Sequence, residues 1–280
     1  MTPRWVCALA LLLASSNANA QMASSDGRTR LDSDTSSSRR GLITRRDLAV
    51  VAGAVALTAA TMPFEERIAH AIRFSAQPGL TRINSVAEGL VLLRSPELFV
   101  ASGALYVYGR LADEHDVADM GLHSIAAVLL AGGTTWGLKG ALGRASPAAT
   151  DAQNATDFEL GGGFGSPPRQ SLPSGNTAVA FAAAAAIASE TQRVWPRAAR
   201  FVAPVMYGGA SIVGVSWLAG NRHWASDVAL GAGVGLFSGW KVVRFAHAHP
   251  DNVVDRLLLS FNVLPHPAGG GTVAVRVPIH

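Results

Sequence analysis

Cysteine is nearly missing from these 280 residues: Cys7 is the only one. It stands inside the N-terminal apolar stretch and not at its end, which argues against a lipoprotein cleavage site and a lipid anchor there. Beyond that stretch the chain can hold no disulfide and no thiolate-bound metal. Charge is scarce as well, with 15% charged against 49% hydrophobic residues, a balance that calls for a large core or a membrane. The formal charge of +4 is spread along the chain, with arginine pairs only at Arg39-Arg40 and Arg45-Arg46. Nucleic-acid binding wants a denser basic stripe with interleaved aromatics, so no nucleic-acid partner is expected. Period-two alternation is absent across the apolar segments, and no internal repeat recurs at a fixed period, so neither a central sheet nor a solenoid is expected.

What is present begins with Arg4, the apolar run Trp5 to Ala14 and the small-residue stretch Asn17-Ala18-Asn19-Ala20, the pattern of a signal peptide over residues 1–20. Residues 21–46 are rich in Ser, Asp and Arg and read as a disordered polar leader. Apolar, alanine-rich segments follow at Leu48–Met62, Leu98–Leu111, Leu122–Leu138, Thr177–Ser189, Phe201–Gly220 and Val228–Trp240, with a more amphipathic helix from Glu65 towards Phe74. Gly143 to Pro173 reads as a long loop of the kind that carries function. After Asp255, the run Leu257–Val263, the turn residues Pro267–Gly271 and the alternating Val273, Val275 and Val277 suggest a terminal hairpin. The expected class is all-α: a bundle of about six core helices over residues 47–248, then a tail over 249–280 with a small β-hairpin.

Membrane association is expected, but its form is open. Phe201 to Gly220 is uncharged and close to the roughly 20 residues a spanning helix needs, while several other segments are shorter. If residue 21 is exported and all six segments span, the ends of the third and fifth, where the candidate site lies, face the cytoplasm. A site outside the cytoplasm then requires a soluble or peripheral bundle, or a first segment that does not span. Thr44-Arg45-Arg46-Asp47-Leu48 has the look of a twin-arginine signal, but the simpler reading is a positively charged helix start.

Three elements carry possible chemistry. In the first, Ser216 precedes His223 and Asp227, and a His and an Asp four apart can meet on one helical face, where the carboxylate fixes the imidazole tautomer and makes the other nitrogen the nucleophile. Alone, such a pair is more often a surface bridge or a helix start. In the second, Pro173-Ser174-Gly175-Asn176 opens a helix whose unpaired N–H groups and dipole suit an oxyanion, although an ordinary N-cap has the same composition. The third is Lys139, followed by Gly143, Arg144 and Pro147, at a helix end where the dipole favours cations in any case.

In this order and each beside an apolar helix, the three resemble the type 2 phosphatidic acid phosphatase and vanadium haloperoxidase superfamily. Its pattern is Lys, six residues, Arg-Pro; then Pro-Ser-Gly-His; then Ser-Arg, five residues, His, three residues, Asp. Lys139 and Pro147 match the first motif, Pro173, Ser174 and Gly175 the second, and Ser216, His223 and Asp227 the third, within a resemblance that covers roughly residues 47–245. The resemblance implies that His223 forms a phosphohistidine, that Asp227 orients it, and that Lys139, Ser174 and the Gly175 amide hold phosphoryl oxygens. Three positions depart from it: Ser146 and Trp217 stand where the pattern has Arg, and Asn176 where it has the His that protonates the leaving oxygen. Arg144, Arg169 and Arg222 are the cations placed to restore charge, and Arg144 is counted with the phosphate-binding set.

The implied function is an extracytoplasmic, cofactor-free and metal-independent hydrolase of a lipid phosphate, diphosphate or small phosphomonoester. The alternative is an impaired relative that binds phosphate or lipid head groups without turnover, and a third reading is vanadate-dependent halide oxidation. Gly231-x-Gly233-x-Gly235 reads as close helix packing, and His247 and His249 as a dipole-favoured surface pair. Cleavage after Ala20 predicts a mature N-terminus at or near Gln21; N-terminal sequencing that finds Met1 on the stable protein refutes it.

Overall fold

The computed structural model describes residues 43–74, 95–150, 152–249, 252–259, 261–265 and 271–275; the expected signal peptide and most of the leader lie outside them. The first helix, α1 (Arg45–Thr61), opens on a reciprocal cap, with Thr44 N–H donating to Asp47 Oδ2 at 2.8 Å and Asp47 N–H to Thr44 Oγ1 at 3.3 Å. The last two residues of the expected leader are thus helical, and the arginine pair sits in the first turn of α1. A 3₁₀ turn leads into α2 (Glu65–Phe74), followed by α3 (Ser95–Leu111), α4 (His115–Leu142), α5 (Gly175–Val194), α6 (Pro196–Ala219) and α7 (Ala225–Ala248). Most of these core helices run past their apolar segments because caps and polar end turns are helical too.

The tail is helical before it is extended. Residues Val253–Leu259 form α8, so Leu257 to Leu259, expected in a strand, belong to a helix. Beyond it, β1 (Phe261–Pro265) and β2 (Gly271–Val275) pair antiparallel, from Phe261 opposite Val275 to Pro265 opposite Gly271. They pair with each other and form no layer of the bundle, whose class is all-α. Val277 and the residues joining the strands lie outside the described residues.

Helix α5 is the axis, packed against α3, α4, α6 and α7. Its buried face is Ala178 and Ala182 to Ala186 with Val179 and Phe181, a run in which alanine favours helix and leaves room for close neighbours. Helix α7 meets it through Gly231, Gly235 and Gly239, where an added Cβ would stand 2.5 Å from Ser174 O, 2.3 Å from Ala178 O and 2.6 Å from Ala182 O. Backbone therefore lies on backbone. Gly233 points the other way, 2.3 Å from Ala54 of α1 by the same measure.

Helices α1 and α7 run antiparallel. Asp47, at the start of α1, bonds Lys241 at 2.8 Å and Arg244 at 3.1 Å near the end of α7, while Glu65, after α1, reaches Ser226 at the start of α7. Four stretches, Arg45–Ala71, His115–Leu142, Pro196–Ala219 and Ala225–Ala248, are long and apolar enough to cross a membrane. Their outward faces carry large apolar side chains in the open, such as Trp136 (67% exposed), Phe201 (65%) and Val205 (71%). Repeated around a bundle, such faces suit lipid contact better than water.

Candidate functional site

All three chemical elements lie at one end of the bundle, where α4 and α6 finish and α5 and α7 begin. Helix α6 stops in a turn with Asn221 left-handed at φ 57°, the Asn221 N–H on Leu218 O at 3.1 Å and the Arg222 N–H on Trp217 O at 3.2 Å. This is a Schellman-type cap in which Asn replaces the usual Gly. The reversal delivers His223 at once to the start of α7. There Asp227, in the first turn, accepts the Trp224 N–H at 2.8 Å, satisfying a donor that the helix start leaves unpaired.

Asp227 is fully buried and surrounded by donors. Its Oδ2 also accepts from Ser171 Oγ at 2.5 Å, and its Oδ1 from Arg144 Nη1 at 2.8 Å. His223 Nδ1 lies 3.5 Å from Asp227 Oδ2, within ion-pair range, but has no hydrogen-bond partner among the described residues. A small ring movement would close that contact, as often happens when a substrate-free site fills. Nδ1 is the ring nitrogen turned to the carboxylate, and Nε2 points away from it.

Arg144 is turned inward. Its Nε and Nη2 bond Ala155 O at 3.0 and 2.6 Å, Nη2 also bonds Glu65 Oε2 at 2.5 Å, and Nη1 bonds Ser226 Oγ at 2.7 Å as well as Asp227. The guanidinium makes five hydrogen bonds to four acceptor atoms, so this side chain holds Asp227 in place and offers no donor to phosphate. That corrects its expected place among phosphate-binding residues. The guanidinium also lies over the rings of Phe158 and Trp224, at 5.2 and 5.5 Å. Arg169 is committed too, to Asp157 at 2.9 Å and Glu159 at 2.8 Å, and the bond to Asp157 raises its pKa above the usual guanidinium value.

Lys139, Ser174 and Gly175 do come together. The Ser174 N–H donates to Asp227 O at 2.9 Å, which fastens the start of α5 to the start of α7. The bare face of Gly175 looks at Lys139, whose Cε would lie 3.6 Å from an added Cβ. Lys139 Nζ bonds Gln170 O, so the long loop closes over the lysine. Ser174 Oγ pairs with Thr177 Oγ1 at 2.8 Å, in a fully buried position. Of the three departures, half-buried Ser146 precedes a 3₁₀ turn and half-buried Asn176 sits in the first turn of α5. Trp217 packs on the His223 ring with centroids 5.8 Å apart, and Arg222 lies over Trp217 at 5.3 Å. Ser216 Oγ turns back to Val213 O at 2.7 Å and takes no part in the site.

Residues 121–251 match the model of the PAP2 superfamily. Over this stretch, a little under half of the chain, the protein is similar to the PAP2 superfamily. Among curated proteins, the lipid A 1-phosphatase of Porphyromonas gingivalis is 42% identical over 71 residues, 25% of this chain and 15% of that protein. The chain thus spans about a seventh of that relative's length. Among solved structures, the crystal structure of the first transmembrane PAP2-type phosphatidylglycerolphosphate phosphatase from Bacillus subtilis matches at 23% identity with a TM-score of 0.49, covering 73% of this chain and 98% of that one.

The site draws on partners outside the three motifs. Glu65 comes from α2, outside the matched stretch, and its Oε1 accepts from both the backbone and the hydroxyl of Ser226. Ser171 comes from the loop. Only the order of motifs marks these elements, since no spacing rule ties residue 65 to residue 226. An Arg144→Leu exchange strands two carboxylates in the interior and should lower stability by about 3–5 kcal/mol. Thermal unfolding in detergent reads this; a loss below about 1 kcal/mol would show that Arg144 does not hold Asp227.

Proposed function

We propose that the protein is an extracytoplasmic phosphoric-ester hydrolase for a lipid phosphate, diphosphate or small phosphomonoester, working through a phosphohistidine at His223. The observation that carries this reading is the Ser174 N–H to Asp227 C=O bond, which joins the second and third motifs while Gly175 faces Lys139 of the first. In this reading His223 Nε2 attacks phosphorus, the P–O bond to the leaving group breaks, and water then cleaves the P–N bond. Lys139 and the N–H groups opening α5 stabilise the equatorial oxygens as charge develops. The relative from Porphyromonas gingivalis acts, by its name, on the 1-phosphate of lipid A, which supports a lipid phosphate as substrate.

A second reading, a binder without turnover, draws on the departures. Ser146 and Trp217 supply no guanidinium, Asn176 gives up no proton at neutral pH, and both Arg144 and Arg169 are held by carboxylates. The same absences weaken halide oxidation. Arg222, stacked beside the ring that packs on His223, is the cation of the original three placed to compensate. Turnover should therefore be faster on aryl phosphates and diphosphates than on alkyl phosphates, whose alkoxides need an acid to leave. Asn176→His should raise alkyl phosphate turnover by roughly 100-fold or more and aryl turnover far less, while Ser146→Arg helps both alike. His223→Ala should abolish every activity. If Asn176→His stays inert on all esters while still binding phosphate, the binder reading replaces the enzyme.

The antiparallel run of α1 and α7 bears on which way the site faces. The end away from the site holds Arg45 and Arg46, then Arg193, Arg197 and Arg200 around the α5–α6 junction, and Lys241 and Arg244 late in α7. By the positive-inside rule that end stays in the cytoplasm and the phosphate site faces out. A spanning α1 then begins inside, which is incompatible with export of residue 21. Gly165→Cys, in an exposed part of the loop, placed in a Cys7→Ser background, should react with a membrane-impermeant maleimide on intact cells. Labelling only after permeabilisation would put the site in the cytoplasm.

A further inference from the structure

The opposite end of the bundle holds a second polar cluster with no part in the phosphate chemistry. Glu190 lies 15 residues beyond Gly175 on α5, about 22 Å along the helix axis. Its Oε1 is 2.5 Å from His123 Nδ1 of α4 and 2.8 Å from His247 Nε2 of α7, and its Oε2 is 3.0 Å from that same His247 nitrogen. One donor atom from each of the three residues lies within 4.8 Å of the others, and His123 and Glu190 are buried. The supposed surface pair is thus divided: His247 turns in to Glu190, while His249 stacks on Phe245 at 4.5 Å. On the far side of His123, Nε2 faces Asp255 Oδ2 of α8 at 3.4 Å.

We propose that His123 Nδ1, His247 Nε2 and Glu190 bind a divalent cation of the zinc type, with Asp255 as the outer partner of His123. A carboxylate on Nε2 fixes the tautomer in which Nδ1 carries a lone pair, and that lone pair faces the oxygens of Glu190. With both imidazoles neutral and their lone pairs turned to Glu190, the three ligand atoms need positive charge between them, and a cation meets all three at once. Carboxylate, imidazole and metal in line is the arrangement that orients histidine ligands. Asp119, one turn before His123, adds negative charge, and Arg193 Nε stands off at 3.7 Å from Glu190 Oε2. Tetrahedral bonds of about 2.0–2.1 Å to nitrogen and oxygen separate ligand atoms by roughly 3.3 Å, so the present histidine–carboxylate spacings need open by about 0.3–0.8 Å. Two imidazoles and one carboxylate favour zinc over calcium or magnesium, which take oxygen ligands. A fourth position stays open to water.

The consequence is structural. A bound ion ties α4, α5 and α7 together at the end away from the phosphate site and draws α8 in through Asp255. The test uses the full-length protein in detergent, carrying an affinity tag without histidine. Elemental analysis should find about one zinc per chain, and Co²⁺ added to metal-stripped protein should give the visible absorption bands of a four- or five-coordinate site. Asp255→Asn should weaken zinc affinity by roughly 10- to 100-fold, Glu190→Gln and His247→Gln by more, and His249→Gln not at all. Zinc should raise the melting temperature of stripped wild-type protein but not that of His247→Gln. Wild-type protein with no zinc and no Co²⁺ band, or Glu190→Gln binding as well as wild type, would leave the cluster as a proton-linked histidine pair and overturn the proposal. Should His247→Gln fail to fold, the wild-type Co²⁺ spectrum decides alone. None of these readouts depends on phosphatase activity, so the two proposals fail separately.

Discussion

A carboxylate taken wholly out of water must be met by donors on every side, and in this protein the burial of Asp227 organises the site. Arg144, Ser171 and the Trp224 N–H all point at it, and His223 stands beside it. Each donor belongs to a different piece of chain. Meeting them draws the long loop to the start of α7, brings α2 in through Glu65, and places the imidazole beside Asp227. A buried ion pair of this kind is weak evidence of stability, but breaking it by removing one partner is costly. Its effect here is positional, because the same contacts that bury the charge fix where His223 can be.

That arrangement in turn requires α5 and α7 to lie closer than ordinary side chains allow. The Ser174 N–H reaches Asp227 O only because Gly231 puts no atom between the two backbones. Further along the same seam, Gly235 and Gly239 let the alanines of α5 sit against bare helix. Small residues are how helices associate where solvent provides no hydrophobic drive, so the seam suits a bundle whose outer faces are apolar. At its far end the seam opens onto Glu190 and His247, and polar groups there again meet one another across the helices.

The departures from the superfamily pattern have a geometric meaning. Where the superfamily pattern has a guanidinium, the Trp217 ring packs on His223 and Arg222 lies over Trp217. The positive charge is displaced to an exposed side chain rather than simply deleted. Arg144 and Arg169 are in no position to substitute, since each is held by carboxylates. In the proposed reading, an oxyanion would be met by a lysine and a helix start.

Much of this was legible in the sequence itself. Alanine-rich segments without period-two alternation determined an all-α bundle, because helix propensity is a property of neighbours along the chain, while Lys139, Ser174-Gly175 and His223-Asp227 were legible together through their resemblance to a superfamily pattern. The Glu65–Phe74 helix was readable for the same reason. The strand expected at Leu257 was misplaced because a short apolar run suits helix or strand alike, and the choice falls to what packs against it. Arg144 looked like a phosphate ligand until its partners were known, and those partners, Glu65 and Ala155, are 79 and 11 residues away. His247 looked like a surface residue until α5 brought Glu190 beside it from 57 residues away. Where a charged side chain points is decided by which distant groups share its burial, and only the tertiary structure brings those groups together.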